Sequence, residues 1–295
     1  MKSFFSRLFG DKSIENSIEP IISDILLQPV QVTPELTLPM VLAKHFDKIK
    51  PSARQTVKIK ATPAEDIHFR QSSFGSYPCL PKNFDYPLDQ NGDLMYPLAQ
   101  INFSEVPKSE FFPSSGYLQF FIAANDIYGL SFDERVPSDI KVVFFEESEI
   151  KEPNDDLSFL DEVLDNEYAP VYKPHLLSFE LNTEYVGLGD VQGLGEESFE
   201  MDDILATHPK IKKEIEDAVY ENFSPTGHKL GGYAYFTQWD PRDAKRPERD
   251  YILLFQMDSD DEIMWGDVGV ANFFIHPVDL ANKDFSKVFY SWDCH

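Results

Sequence analysis

Leu98-Ala99-Gln100-Ile101-Asn102 and, 156 residues further on, Leu254-Phe255-Gln256-Met257-Asp258 are two versions of one phrase, and neither stands alone. Phe74-Gly75-Ser76-Tyr77 precedes the first, and Leu230-Gly231-Gly232-Tyr233 precedes the second. Gly116-Tyr117-Leu118-Gln119-Phe120-Phe121-Ile122 follows the first, and Gly269-Val270-Ala271-Asn272-Phe273-Phe274-Ile275 the second. Gly75 to Gln100 and Gly231 to Gln256 are both 25 residues, and the following gaps from Gln to Gly are 16 and 13. Shared order with one equal long spacing implies an internal repeat. The 295-residue chain therefore reads as one structural unit used twice, over about 70–147 and about 226–295, with an acidic and helical insertion over about 148–225.

Working outward, Val57-Lys58-Ile59-Lys60-Ala61 alternates apolar and charged residues as a half-buried strand does. Leu98–Phe103, Tyr117–Ala123, Ile140–Phe145 and His175–Leu181 are the other predicted strands, with Val106–Pro113 as a loop. Ile14, Ile18, Ile21, Ile22, Ile25 and Leu26 recur at helical spacing, and Pro39 opens a second helix that Pro51 closes. Residues 1–55 are thus expected to be a helical segment packed on the core, and 56–295 to be the duplicated domain. Glu146 to Glu167 holds ten carboxylates and one lysine, which favours a solvated loop with one short helix. Gly187, Gly189, Gly193 and Gly195 mark turns. Phe199–Thr207 and a helix opened by Pro209, with Ile211, Ile215 and Val219 on one stripe, complete the insertion. These strands and helices make up two similar units with flanking helices.

Composition narrows the function. Twenty-five Phe and 13 Tyr within 42% hydrophobic residues supply a large core, stabilising at about 25 cal/mol per Å² of apolar area buried. Cys79 and Cys294 alone suggest no disulfide framework, so a reducing, cytoplasmic setting is expected. No run approaches 18 apolar residues, and Met1 to Gly10 is basic and aromatic without the apolar core of a leader. Against 26 basic residues stand 51 acidic ones, for a formal charge of −25. Phosphate backbones need a basic footprint and anionic membranes repel such a chain, so neither nucleic acid nor membrane is an expected partner. A basic protein partner suits the charge, and so does mere solubility.

The densest polar cluster lies in the second unit. Gln238, Asp240, Arg242, Asp258 and Asp267 would converge at one sheet edge if the strand of Gln256 pairs near a strand over Tyr235–Trp239. A guanidinium between carboxylates makes either a structural clamp or a recognition site, and Trp265 would give it a flat wall. Asp258, Asp260, Asp261 and Glu262 fail the helix-loop-helix calcium pattern, because Ile263 stands where glycine is needed; no metal is expected. The seven histidines lack zinc-ligand spacing, and no cofactor motif is present. Cys79 lacks a local base and reads as a packed thiol, and Gly231-Gly232 reads as a positive-φ turn or a close backbone approach. Gln100 and Gln256, each inside an apolar strand, must find partners, either in a core polar network or on the floor of a cleft that the two share.

At these residues the chain resembles the YwqG-like family, bacterial proteins with a domain of unknown function. The matching words are Phe74 to Pro81, Leu98 to Phe103, Gly116 to Ile122, Asp126 to Leu130, His228 to Tyr233, Gln238 to Arg242 and Trp265 to Ile275. Ser76 departs where a second glycine is expected, and Ala234 where a proline is usual. The resemblance implies the fold class, α+β with a duplicated, largely antiparallel β core and flanking helices, and no assigned activity; some relatives resemble components of toxin–immunity neighbourhoods. Two functions follow as expectations. One is a non-enzymatic binding or protein-interaction module with an acidic surface, of immunity type in one form. The other is a small-molecule binding protein or enzyme using the polar cluster.

Overall fold

The computed structural model describes residues 23–132, 137–186, 201–242 and 246–295. The apolar spacing at Ile14, Ile18, Ile21 and Ile22 and the glycines from Gly187 to Gly195 lie outside these residues. The chain divides into two compact units.

The smaller unit joins the chain before Arg54 to the helices between 201 and 224. A hairpin of β1 (Pro29–Gln31) and β2 (Thr37–Pro39) leads into a short helix, Met40–Ala43, which Pro39 opens as its fixed φ allows. After a second short helix, Phe46–Ile49, Pro51 falls in a single 3-10 turn that ends the helical run. Val41, Leu42, Phe46 and Ile49 are buried with Ile211, Ile215, Val219 and Phe223, so the stripe of helix Lys212–Phe223 faces this cluster. Tyr185 packs its ring on Phe46 and Phe223, at 5.4 and 6.4 Å between centroids.

The larger unit is a ten-stranded, wholly antiparallel sheet that curls into a nearly closed barrel. Its strands are β3 (Arg54–Pro63), β4 (Ser73–Phe74), β5 (Tyr96–Asn102), β6 (Tyr117–Ile122), β7 (Ile140–Phe145), β8 (His175–Glu184), β9 (Lys229–Gly231), β10 (Ile252–Asp258), β11 (Val270–Ile275) and β12 (Phe289–Asp293). In space they run β12-β11-β10-β9-β3-β8-β4-β5-β6-β7. The centre is the ten-residue ladder of β3 on β8, from Arg54↔Glu184 to Pro63↔His175. Strand β3 precedes the β4–β7 quartet in sequence yet pairs with β9, and β8 precedes the β9–β12 quartet yet pairs with β4. Each quartet thus borders the strand that leads into the other.

The quartets share a register. Ser73 and Phe74 face Gln100 and Ala99, as Lys229 and Leu230 face Gln256 and Phe255. Gln100 lies opposite Gln119, and Gln256 opposite Asn272. Both ladders slip at one place, between Pro97 and Ala99 and between Leu253 and Phe255, where Leu98 and Leu254 are the extra residues. Phe120 meets Phe255 and Phe273 at 4.8 and 4.9 Å, so side chains from both quartets fill one interior. Gly231 and Gly232 have φ of +68° and +77°, and a Cβ on Gly232 would run into the Glu184 carboxylate. Both readings of that glycine pair therefore hold. One expected strand is absent. Residues 233–242 form no strand, because the edge of β10 is already taken by β9, and they cross the sheet as a loop.

Candidate functional site

The two repeated glutamines are buried, and each serves its own loop. Gln100 Oε1 accepts from Cys79 N–H at 2.6 Å, while its Nε2 donates to the carbonyls of Phe69 and Gln71 at 2.7 and 2.8 Å. Gln256 Oε1 accepts from Tyr235 N–H, and its Nε2 donates to the carbonyls of Pro225 and Gly227, all at 2.8 Å. Every partner in the second set is displaced by 156 residues from its counterpart in the first. The neighbouring strand repeats the pattern: Gln119 Nε2 donates to Cys79 O, and Asn272 Nδ2 to Tyr235 O, at 2.7 and 2.8 Å. A side-chain amide with both hydrogens and its oxygen engaged holds a loop on a sheet; it has little left to offer a ligand. These are two polar networks rather than one shared floor.

Arg242 and Asp240 form the clamp. Nε and Nη2 donate to the two carboxylate oxygens at 3.0 and 2.7 Å, Nη1 donates to Tyr251 O at 2.9 Å, and the guanidinium lies 4.4 Å from the Phe274 ring centre. With both side chains 1% exposed, this bidentate pair pins the loop to the start of β10 and is closed to solvent. The expected convergence of acids on Arg242 gives way to separate placements. Asp258 accepts from the N–H groups of Gly227 and Ser259 at 2.7 and 2.9 Å, fixing a turn. Asp267 is exposed in the turn before β11, where its carbonyl accepts from His295 N–H. Trp265 is fully buried against Tyr128 and so walls no open pocket; apolar packing has won over display.

Titratable groups near the sheet are also engaged. His228 Nδ1 accepts from Asp258 N–H at 3.0 Å, which leaves Nε2 to carry the hydrogen that Asp260 accepts at 3.2 Å. That hydrogen bond, with backbone donors from Glu262 and Ile263, pulls the Asp260 carboxyl down to about 2. Burial pushes the Cys79 thiol up to about 11, which suppresses the thiolate a nucleophile needs.

Of the eight candidate residues, Gln238 alone lines the large cleft. Its Nε2 donates to Cys294 O at 2.6 Å, and Asp293 accepts from the backbone of both Thr237 and Gln238. The cleft, about 1010 Å³, lies between the two strands that end the sheet order. Its walls include Ile140–Val142 of β7, Phe289–Asp293 of β12, and Trp239, Arg246 and Tyr251 from the connection into β10. At its rim Trp239 is 71% exposed and Phe132 78% exposed. The wall residues Lys141, Trp239, Arg246, Tyr251 and Trp292 were not among the sequence candidates. Their signal is faint: the aromatic alternation of Phe289-Tyr290-Ser291-Trp292, which reads as a strand and nothing more.

A family model described as a domain of unknown function (DUF1963) matches residues 72–294, which span both quartets and β8 but leave out β3. The chain belongs to that family. No curated protein matches it.

Proposed function

We propose that this member of the DUF1963 family is a binding module whose ligand occupies the cleft between β7 and β12. The observation that carries the reading is the cleft itself. Its volume of about 1010 Å³ stands at the upper end of the roughly 300–1,000 Å³ typical of ligand pockets, with bare aromatics at the rim and polar groups in the wall. A binding role is favoured over catalysis because Arg242, Asp240, His228 and Cys79 are engaged or shielded in the ways described above. Thermal shift of the full chain against a metabolite library tests it. A ligand near 100 times its Kd adds about 2.7 kcal/mol. Trp239→Ala is expected to abolish that shift without lowering the ligand-free melting point. Hits that shift Trp239→Ala as strongly as the parent would overturn the assignment.

We also infer that the two quartets are copies of one module. Support comes from the shared register, the matching slips and the hydrogen bonds repeated at a displacement of 156 residues. The YwqG-like kinship rests on the sequence words quoted above. A second form of the binding role, an immunity-type contact with a basic protein, is favoured by the formal charge of −25, which would speed such an encounter. Pull-down from the native host at low and moderate salt tests it, and recovery of no basic partner at either would count against it.

A further inference from the structure

Among the described residues, both strands that border the cleft are edge strands: β7 has β6 as its one neighbour in the sheet, and β12 has β11. Edges of this kind are open templates for another strand unless a protein covers or charges them. On β7 the outward backbone groups can be assigned. Ala123 N–H bonds to Asp139 O at 3.0 Å, and antiparallel ladders alternate between bonded and non-bonded pairs. The Phe121↔Lys141 pair is therefore bonded, and the Phe120↔Val142 and Leu118↔Phe144 pairs are not. Val142 and Phe144 consequently turn their N–H and C=O groups away from β6, towards the open edge. Ten strands in unbroken antiparallel order also make β7 and β12 antiparallel to each other. One strand entering between them can be antiparallel to only one of the two.

The charge of the wall selects the occupant. Among the described residues that line the cleft, Lys141, Arg246 and Lys287 outnumber Glu248 and Asp293, whereas over the whole chain 51 acids outnumber 26 bases. The Asp293 carboxylate is already held by the Thr237 and Gln238 N–H groups, at 3.1 and 2.9 Å. Lys287 is 62% exposed and only loosely associated with Asp279 and Asp284, at 3.7 and 3.9 Å. Lys141 stands on β7 itself, where a residue paired across from it would share its face.

We propose that the cleft accepts an extended, acidic segment of a partner protein as an added strand antiparallel to β7. The partner's backbone pairs with Val142 and Phe144, acidic side chains at alternate positions meet Lys141 and Lys287, and the intervening apolar side chains turn inward. The proposal rests on the cleft being the binding site and adds the chemistry of what fills it.

The test uses the full chain and a displayed library of random linear dodecapeptides. Selected peptides are expected to be acidic with apolar residues at every second position, and to slow amide exchange at Val142 and Phe144. Lys141→Glu, on an exposed side chain, is expected to weaken them at least tenfold. The unaltered protein gives a second reading: N-methylation of the peptide at one alternate set of residues abolishes binding, and at the other set spares it. Neutral or basic peptides, equal effects of the two methylation sets, or unchanged exchange on β7 would overturn the strand proposal. If no peptide is selected while Trp239→Ala still abolishes a metabolite's shift, the strand fails and the cleft stands. If peptides bind the Trp239→Ala and Lys141→Glu variants as tightly as the parent, both fail.

Discussion

Replacing each repeated glutamine by leucine tests whether the two loop anchors are equivalent. Leucine keeps the bulk but leaves three backbone orphans in each case. For Gln256 these are Tyr235 N–H and the carbonyls of Pro225 and Gly227; for Gln100 they are Cys79 N–H and the carbonyls of Phe69 and Gln71, and Gln119 Nε2 also loses an acceptor at 2.9 Å while keeping its bond to Cys79 O. A buried group left unpaired costs about 1–3 kcal/mol. Tyr235 and Gly227 are only partly buried and can recruit water, so the low end applies and the sum is about 3 kcal/mol. With a urea dependence of about 3 kcal/mol per molar, each variant should unfold about 1 M earlier than the parent. Hydrogen exchange then separates the anchors: Gln256→Leu should speed exchange at Tyr235 and spare Cys79, and Gln100→Leu should do the reverse. A cost under about 1 kcal/mol for either variant, or faster exchange at both loops in each, would refute the reasoning.

Arg242→Ala leaves the Asp240 carboxylate buried without its bidentate partner and should destabilise by about 3–5 kcal/mol, measured by denaturant titration. Under native conditions at pH 8, iodoacetamide should alkylate Cys294 and leave Cys79 untouched, seen as one adduct by intact mass, since Cys79 is fully buried and its thiol is held up at about 11. Asp260 lies below its ordinary value of 3.8, at about 2, so its contribution to stability is complete above about pH 4 and lost as pH falls through 2. Its side chain is 40% exposed, so the effect is small. Asp260→Asn should flatten that acid limb of a melting-temperature profile, and an unchanged limb would refute the assignment.

The shared register of the two quartets was legible because the matching words are written in residues with few substitutes. Gln100 and Gln256 are fixed by the loops they hold, and Gly75 and Gly231 by φ values of +56° and +68°. The antiparallel β core followed from the family resemblance that the same words carry. The crossing of β3 and β8 was not legible, because alternation marks a strand and its inward face but says nothing of which strand lies alongside. The depth at which the site candidates lie was not legible for a related reason. Arg242, Asp240 and Trp265 are polar or aromatic residues near turns, a pattern that a buried clamp and a buried ring satisfy as well as a pocket does. What separates them is depth, which a sequence does not carry. Lys141 and Tyr251 became visible only once the two ends of the sheet were seen to border one cleft.

The crossed connection also sets an order of events during synthesis. Lys58 of β3 lies beside Glu180 and Lys229, which follow it by 122 and 171 residues. At roughly 5–20 residues per second, the first neighbour arrives about 6–24 s after β3 is made, and the second about 9–34 s after. Throughout that interval an amphipathic ten-residue segment waits on the nascent chain with its ladder groups unmatched. Any chain released before Leu230 is made will therefore keep one flank of β3 bare, however well its earlier strands have assembled.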